Sequence, residues 1–462
     1  MTRSQDCDIA IVGAGAAGLA AARWLEAKGV SVLVLEARDR VGGRMLNEPI
    51  GDGEIVEVGG QWVGPTQLRV NELIDELGLE RFETYDEGFN QFEFRGRLSR
   101  YTGAIPRINP IVLADIAQLQ ARIERMAKQV PLDAPWSAPK AEEWDSMTVM
   151  TWLGRKSHTS GGKAFFQLIC EGVWAAHPSD FSLLHMLFYI NSAGGLAKLI
   201  ETDGGAQTHR IVGGSQLICK RMAEELGDRV ILEAPVRRIR CDGESVVLDA
   251  EQVQVTASRV IVAIPPTLAG RIVYEPPLPG HRDQLTQRVP QGTVMKCMAI
   301  YETPFWRKDD LSGQVTSDTG PVKVVFDNSP PSGKPGVLLG FLEGNQAREL
   351  GQLPIEERRA EVLRCFARFF GAEAAAPLDY VEKSWADEPF SRGCYGGFFP
   401  TGVWTSFGKA LREPIGQIHW AGAETATVWN GYIDGALTSG EHAAAEVFEA
   451  INDRRATKSA AA

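Results

Sequence analysis

Short apolar runs alternate with amphipathic segments along this chain. Apolar runs at 7–12 and 30–35 predict two buried strands, and the alanine-rich segment at 16–28 predicts the helix that joins them. A helical pattern extends from about 110 to 199, with Ile116, Leu119, Ile123 and Met126 on one face. The same reasoning predicts helices at 67–77, 355–370 and 435–451, strands at 229–233, 245–248, 259–264, 294–301, 322–327 and 336–342, and a strand running into a turn at 418–424.

The turn after the first strand has the spacing Gly13-Ala-Gly15-Ala-Ala-Gly18, and Glu36 follows the second strand. Gly13 permits a tight turn, Gly15 lets the backbone approach a pyrophosphate, and Gly18 lets the helix pack closely on the sheet. The phosphates would lie at the N-terminus of the helix, where free N–H groups favour an anion. Glu36 can accept hydrogen bonds from ribose hydroxyls and would repel a 2′-phosphate, which disfavours NADP. This segment predicts a dinucleotide, either NAD or FAD.

The residues that follow favour FAD. Arg40-Val-Gly-Gly-Arg44 places two guanidinium groups around a glycine pair that can pass close to a ligand. A guanidinium can bind phosphate oxygens in a bidentate way. The alternative is a charged loop in solvent.

Composition restricts the classes of function. A chain of 462 residues predicts two domains, and 48 basic against 59 acidic residues give a net charge of −11, which argues against nucleic acid or an anionic membrane as partner. Seven cysteines without C-x-x-C spacing and seven histidines without metal-ligand spacing predict neither a disulfide framework nor a metal site. No apolar run reaches the roughly twenty residues of a membrane span, and no signal peptide precedes the first strand. We therefore expect a soluble, cytoplasmic protein.

Four stretches together resemble the flavin-containing monoamine oxidase family. They are 13–44, 292–297 around Lys296, 385–402 with Cys394 and Tyr395, and 420–432 with Glu424 and Tyr432. The resemblance implies FAD and the amine oxidase fold, in which an α/β, Rossmann-like FAD-binding domain is interleaved with a mixed α+β substrate domain. We expect FAD-binding parts at 1–85, 206–288 and 390–452, a helical part of the substrate domain at 86–205, its sheet part at 289–389, and a polar tail at 453–462.

The resemblance also implies residue roles. Lys296 matches the lysine whose ammonium holds a water at flavin N5, and Tyr395 and Tyr432 match two rings that face each other in front of the flavin. The implied FAD contacts are Gly13, Gly15, Gly18, Glu36, Arg44, Gly60, Gln61, Trp62, Val236, Trp385, Cys394, Gly422, Glu424, Tyr432 and Ile433. The substrate cavity is expected to be lined by Phe166, Trp174, Leu199, Ile200, Gln207, Val324 and Phe341, besides both tyrosines.

Each catalytic assignment has an alternative. Lys296 could extend to water from the edge of a strand, and both tyrosines could be ordinary half-buried aromatics. In animal monoamine oxidases the cysteine that matches Cys394 is joined to the flavin by a thioether. Because Arg392, Gly396 and Gly397 depart from that pattern, we favour non-covalent FAD beside a buried thiol, with the covalent link as the alternative.

These features predict an oxidase that converts a hydrophobic or arylalkyl monoamine to an imine, and then an aldehyde, while O2 is reduced to H2O2. The expected lining is apolar with one amide and offers no arginine for a carboxylate. Other activities on the same fold stay open: an L-amino-acid oxidase, a desaturase-type flavoenzyme, or a diamine oxidase that uses Glu171 or Glu201 as a second anchor. A non-catalytic FAD-binding interaction module is a remoter alternative. We also expect a homodimer.

Overall fold

The computed structural model describes residues 3–103, 106 and 108–461, and the side chains of those up to 453. In chain order, its strands are β1 (Arg3–Val12), β2 (Val32–Leu35), β3 (Asn47–Gly51), β4 (Glu54–Glu57), β5 (Arg81–Glu83), β6 (Phe89–Phe94), β7 (Arg97–Tyr101), β8 (His209–Ile211), β9 (Val230–Ile231), β10 (Val236–Cys241), β11 (Val246–Ala250), β12 (Val253–Val262), β13 (Val273–Glu275), β14 (Val294–Tyr301), β15 (Leu311–Ser317), β16 (Val324–Asp327), β17 (Gly336–Glu343), β18 (Asp379–Ser384) and β19 (Ile418–Trp420).

The helices alternate with these strands over most of the chain. They are α1 (Ala16–Glu26), α2 (Leu68–Glu76), α3 (Pro110–Ala127), α4 (Ala141–Asp145), α5 (Val149–Lys156), α6 (Ser160–Trp174), α7 (Leu183–Ser192), α8 (Leu196–Ile200), α9 (Gln216–Leu226), α10 (Pro266–Ala269), α11 (Gly280–Thr286), α12 (Gly344–Leu350), α13 (Ile355–Phe370), α14 (Val403–Phe407) and α15 (Ile433–Ala461).

An eight-stranded sheet joins the first strand, β1, with the last strand, β19. Its order is β13-β10-β11-β12-β1-β2-β9, and β19 also pairs with β12. β1 runs parallel to β2 and β12, and β19 runs parallel to β12. The predicted strand–helix–strand unit is confirmed, and the C-terminal α15 packs on its helix α1.

A seven-stranded sheet has the order β18-β14-β17-β16-β15-β6-β7. Along β14, Met295 and Cys297 belong to a core cluster with Phe366 of α13. The alternating residues therefore point to the opposite face of the sheet, where Met298 packs in a second cluster and Lys296 lies beside it on the strand. Strand alternation thus directs one lysine away from the helix-covered face. The five-part division of the chain into domains stays a prediction.

The predicted helical region contains α3 to α8. Ile116, Leu119 and Ile123 of α3 are buried in its core, and Met126 packs against that core, as the periodicity predicts. The first turn of α3 has Pro110 at its start and is capped by Asn109, whose side chain accepts a hydrogen bond from the N–H of Ile111 at 2.9 Å. Within the described residues, we find no helix long and apolar enough to cross a membrane.

Some predicted boundaries differ from the structure. The second strand begins at Val32 rather than Val30, because the Val30 N–H donates to the carbonyl of Leu25 and completes the turn after α1. The polar strands β6, β7, β10, β15 and β18 were not predicted, because charged or amide residues interrupt their apolar alternation. The segment 453–461 continues α15 instead of forming a separate tail, while residue 462 lies outside the described residues.

Candidate active site

A cavity of about 330 Å³ lies between the seven-stranded sheet, α6 and the segments that follow β4 and β19. The wall contains Leu199, Ile200, Gln207, Val324, Phe341, Tyr395 and Tyr432, where the sequence analysis expects them. Among the lining residues that the structure describes, Lys296 is the only lysine and Glu343 is the only residue with a carboxyl side chain. The cavity therefore suits a mainly apolar molecule with few polar groups.

The expectation for Phe166 and Trp174 is wrong. Neither residue lines the cavity: the face of α6 that does so carries Phe165, Leu168, Ile169, Gly172 and Val173. These positions follow helical spacing, which turns the neighbouring side chains elsewhere. The Phe166 side chain is buried in the helical core, and the Trp174 ring stacks on Phe181 at 5.3 Å between centroids.

Lys296 is held inside the protein by oxygen atoms. Its Nζ donates to the carbonyl oxygens of Glu57 at 2.9 Å and Gly59 at 2.7 Å, and to Oε1 of Gln61. The residue is 4% exposed, so the alternative in which it extends to water is wrong. Burial lowers the pKa of Lys296 to about 7, although the Glu57 charge acts in the opposite direction, and the nearby Arg210 lowers it further. This is a buried ammonium whose charge changes near neutral pH.

The two tyrosines line the same cavity from different segments. The Tyr395 hydroxyl donates to Oε1 of Glu343 at 2.7 Å, and the Tyr395 ring lies 6.3 Å from the Phe341 ring in an edge-on contact. The Tyr432 ring lies 5.0 Å from Trp429 and 6.1 Å from Tyr189. Both rings are thus packed against neighbouring aromatic side chains. That the two rings face each other stays a prediction.

Glu343 was missed by the sequence analysis. It ends β17, two residues after Phe341, so both side chains lie on the face of the strand that lines the cavity. The period of two along this apolar strand is the signal that could have found it. Glu171 and Glu201, the acids named in the sequence analysis, are not among the described lining residues, and Glu171 instead accepts a hydrogen bond from Gln167 at 2.9 Å.

The glycine turn at the N-terminus has the geometry that its spacing predicts. Gly13 has a φ of +101°, which side-chain-bearing residues rarely adopt. A Cβ on Gly18 would lie 1.9 Å from the Gly13 carbonyl oxygen, so α1 could not approach the strand with any other residue there. The buried Glu36 accepts hydrogen bonds from the N–H groups of Ala14 at 2.7 Å and Arg38 at 3.0 Å. The turn and the acid form one rigid unit.

An ion pair connects this end of the chain to the other. Arg44 donates to both carboxylate oxygens of Glu424, at 2.7 and 3.1 Å, and to the carbonyl of Tyr395 at 2.7 Å. Glu424 also accepts from the N–H of Gly397 at 3.1 Å. Burial alone would raise the pKa of Glu424, but the Arg44 charge outweighs it and the pKa is lowered. The carboxylate is therefore ionised, and it fixes three segments of the site to one another.

The amine oxidase architecture is shared with known proteins. A family model described as flavin containing amine oxidoreductase matches residues 16–448. The chain belongs to this family. It is 46% identical over 440 residues to the putative flavin-containing monoamine oxidase AofH of Mycobacterium tuberculosis, covering 95% of this chain and 96% of that protein. It is 40% identical over 453 residues to the human amine oxidase [flavin-containing] B, covering 97% and 87%.

Solved structures of other amine oxidases have the same fold. Wild-type putrescine oxidase bound to putrescine superposes with a TM-score of 0.93 at 37% identity, covering 96% of this chain and all of that one. Cyclohexylamine oxidase from Brevibacterium oxydans IH-35A superposes with a TM-score of 0.93 at 32% identity, covering 97% and 100%. This chain is a flavin amine oxidase, its cofactor is FAD, and its substrates are small-molecule amines and O2.

The nucleotide end of the flavin amine oxidase fits the cofactor. Nη2 of Arg40 is buried without a hydrogen-bond partner, and burial together with the Arg38 charge lowers the pKa of Arg40. No side chain caps α1, whose first N–H groups have no acceptor within the helix. A Cβ on Gly15 would meet only Gly43, at 4.0 Å. An anionic pyrophosphate beside these groups would supply the missing partners.

The other expected FAD contacts fall into two groups. The ones that line the cavity are Gly60, Gln61, Trp62, Trp385, Cys394, Tyr432 and Ile433. Val236 begins β10 and Gly422 follows β19, so both belong to the eight-stranded sheet or its edge. Trp385 donates from Nε1 to the carbonyl of Val58 at 2.8 Å. The role of each residue toward FAD stays a prediction.

Cys394 lines the cavity as a buried thiol. Burial raises its pKa to about 11, although the charges of Arg44 and Lys296 act in the opposite direction. The thiol is therefore protonated at neutral pH, and we expect FAD to be released when the yellow holoenzyme is precipitated with acid. Absorbance of the supernatant and the pellet measures this release. Colour that stays with the pellet of wild type, but not of Cys394→Ala, would contradict the expectation and establish a covalent link.

Proposed function

We propose that this flavin amine oxidase acts on hydrophobic or arylalkyl monoamines. The overall reaction is R–CH2–NH2 + O2 → R–CH=NH + H2O2, and water then converts the imine to an aldehyde and ammonia. When bound, FAD accepts two electrons from the substrate and passes them to dioxygen. The observation that carries the proposal is the cavity wall, which is formed mainly by aliphatic and aromatic side chains.

The polar groups of the cavity support the same substrate class. Gln207 donates from Nε2 to the carbonyl of Leu199 at 3.1 Å, while its Oε1 is buried and has no partner. This oxygen can accept one hydrogen bond from an amine. An amino acid would require a cation for its carboxylate, and no arginine stands among the lining residues that the structure describes.

Three side chains of the cavity would have distinct roles in the reaction. Tyr395 and Tyr432 would orient the amine, because their electron-rich faces attract the polarised C–H and N–H groups. Lys296, when protonated, would favour negative charge on the flavin. Because Nζ already donates to three protein oxygens, it would hold a water molecule there only by exchanging one of these hydrogen bonds. The substrate must react as the free amine, because an ammonium nitrogen has no lone pair to assist the loss of hydride.

A diamine oxidase is the second candidate, favoured by one observation: the wall contains the carboxyl group of Glu343. A second ammonium would be attracted to this group. The relative that binds putrescine is similar to this chain along its whole length. The preponderance of apolar lining makes the monoamine the first choice.

The test is anaerobic reduction of the oxidised holoenzyme by matched amines. We expect phenethylamine and hexylamine to bleach the flavin absorbance faster than 1,6-diaminohexane, and phenylalanine to leave it unchanged. Hexylamine and the diamine have the same chain length, so their ratio isolates the effect of the second charge. Faster bleaching by the diamine or by phenylalanine would overturn the proposal. Loss of bleaching with every amine would indicate a structural flavin. The cytoplasmic location and the homodimer are further proposals.

A further inference from the structure

A carboxyl group is buried in the apolar cavity without a complete set of partners. Glu343 is 1% exposed, and one of its oxygens, Oε1, accepts the hydrogen bond from the Tyr395 phenol. The other oxygen, Oε2, is buried and has no hydrogen-bond partner. It points toward Gly172 of α6, where an added Cβ would lie 3.9 Å from it. A buried carboxyl oxygen without a partner is destabilising, and a ligand in the cavity could supply one.

The position of Glu343 identifies the donor. Its partner Tyr395 is one of the two tyrosines proposed to orient the amine, so an amine held against that ring could reach the carboxyl group. An amine in solution at neutral pH is an ammonium, with a pKa of about 10. An ammonium is a strong donor to a carboxylate.

We infer that Glu343 shares a single proton with the nitrogen of the bound amine. This inference rests on the proposed function. As R–NH3+ meets the Glu343 carboxylate, one N–H bond breaks and one O–H bond forms at Oε2, which leaves a neutral amine and a carboxylic acid. No electrons are transferred in this step. A neutral pair is favoured over two charges in a cavity of low polarity, and the freed lone pair is the one that the oxidation requires.

The surroundings of Glu343 suit this exchange. Burial raises its pKa to about 8, the Tyr395 hydrogen bond acts against that rise, and Glu171 on α6 adds to it. Lys296 on β14 and Cys394 also line the cavity; with a lysine pKa of about 7 and a thiol pKa of about 11, both are mainly uncharged between about pH 8 and about pH 10. The carboxyl group therefore changes its charge within the range in which an amine can give up a proton.

The first test is the pH dependence of kcat/KM for phenethylamine in wild type and Glu343→Gln. The amide keeps an acceptor for the Tyr395 phenol but cannot take a proton. In wild type the complex holds one shared proton, so kcat/KM should be level between the Glu343 pKa of about 8 and the amine pKa of about 10. The variant binds only the neutral amine, so its kcat/KM should rise over that interval. The ratio of variant to wild type should increase about 50-fold between about pH 8 and about pH 10.

The second test measures binding without turnover. Cumylamine has no hydrogen on the carbon next to nitrogen and cannot be oxidised to an imine. Titration calorimetry in buffers of different ionisation enthalpy counts the protons released when it binds. Wild-type holoenzyme should release about one proton at about pH 7 and close to none at about pH 9, because Glu343 ionises between these values. Glu343→Gln should release about one proton at both.

Two control variants separate this role from folding and from the proposed function. Glu343→Asp keeps a carboxyl group and should keep the level region of kcat/KM. Glu171→Gln removes a buried acid that does not line the described cavity wall. This variant should also keep the level region of kcat/KM. The inference would be overturned if the ratio of variant to wild-type kcat/KM did not change with pH, or if wild type and Glu343→Gln released equal numbers of protons. Either result would do so even if wild type oxidises monoamines rapidly. Failure of wild type to oxidise any monoamine would instead overturn the proposed function.

Discussion

Replacement of Lys296 by methionine should slow the reaction of the reduced enzyme with dioxygen, or the reduction of its flavin, by about 100-fold or more, the usual effect of removing a preorganised charge from an active site. Methionine matches the length of lysine but carries no charge and no donor. Stopped-flow absorbance measures the two half-reactions separately, with phenethylamine as reductant. Lys323→Met is the matched control, because Lys323 is a buried lysine outside the described cavity wall.

The same substitution should not weaken the fold. Burial lowers the pKa of Lys296 from its ordinary 10.5 to about 7, so between these values the unfolded chain binds more protons than the folded protein. The free energy of unfolding of wild type therefore rises with pH across this interval. Below the interval the lysine is charged and buried, which is destabilising. Lys296→Met removes this destabilising charge but leaves the oxygens of Glu57, Gly59 and Gln61 without their donor, so the two effects oppose each other and its urea midpoint at about pH 7 should stay close to that of wild type. Wild-type rates in both half-reactions would remove Lys296 from the mechanism.

Replacement of Arg44 by methionine should lower the free energy of unfolding by about 3 kcal/mol, because it leaves a buried carboxylate without its counter-ion. Glu424 is 1% exposed, whereas Arg44 is 20% exposed, which places the effect at the lower end of the range for buried pairs. Urea unfolding of the holoenzyme in excess FAD measures the change and limits the contribution of cofactor loss.

Two further variants test the cause of that loss. Arg44→Met combined with Glu424→Met should regain most of the lost stability, since an apolar pair replaces both charges. Arg221→Met removes the exposed pair with Glu224 and should change the stability by less than about 0.5 kcal/mol. A double variant as unstable as the single one would show that Arg44 acts by packing rather than by charge.

Features that depend on local geometry could be predicted from the sequence. The glycine turn at 13–18 and the strand at 294–301 are of this kind, because a positive φ, a close backbone approach and an alternating strand each leave a local pattern. Features that depend on which of two apolar faces lines the cavity could not be predicted from the sequence. Helix α6 has apolar residues on several sides, so its periodicity did not distinguish Phe165 from Phe166.

The strand period places Glu343 on the same face as Phe341, but its burial depends on the tertiary structure. A glutamate after an apolar strand usually marks the point where the chain enters solvent. Here β14 pairs with β17 up to its last residue and α12 follows directly, so the Glu343 side chain stays buried. The Arg44–Glu424 pair was predicted only as two separate FAD contacts, since its partners are 380 positions apart and no local pattern connects them.

The arrangement of the eight-stranded sheet affects biosynthesis. The strand β19 and the helix α15 are made long after β12 and α1, the elements on which they pack. Until then, the nascent chain exposes an apolar side of α1 and lacks Glu424 as a counter-ion for Arg44. We therefore expect the cofactor site to be completed late in synthesis, and a chain that ends before β19 to be prone to aggregation.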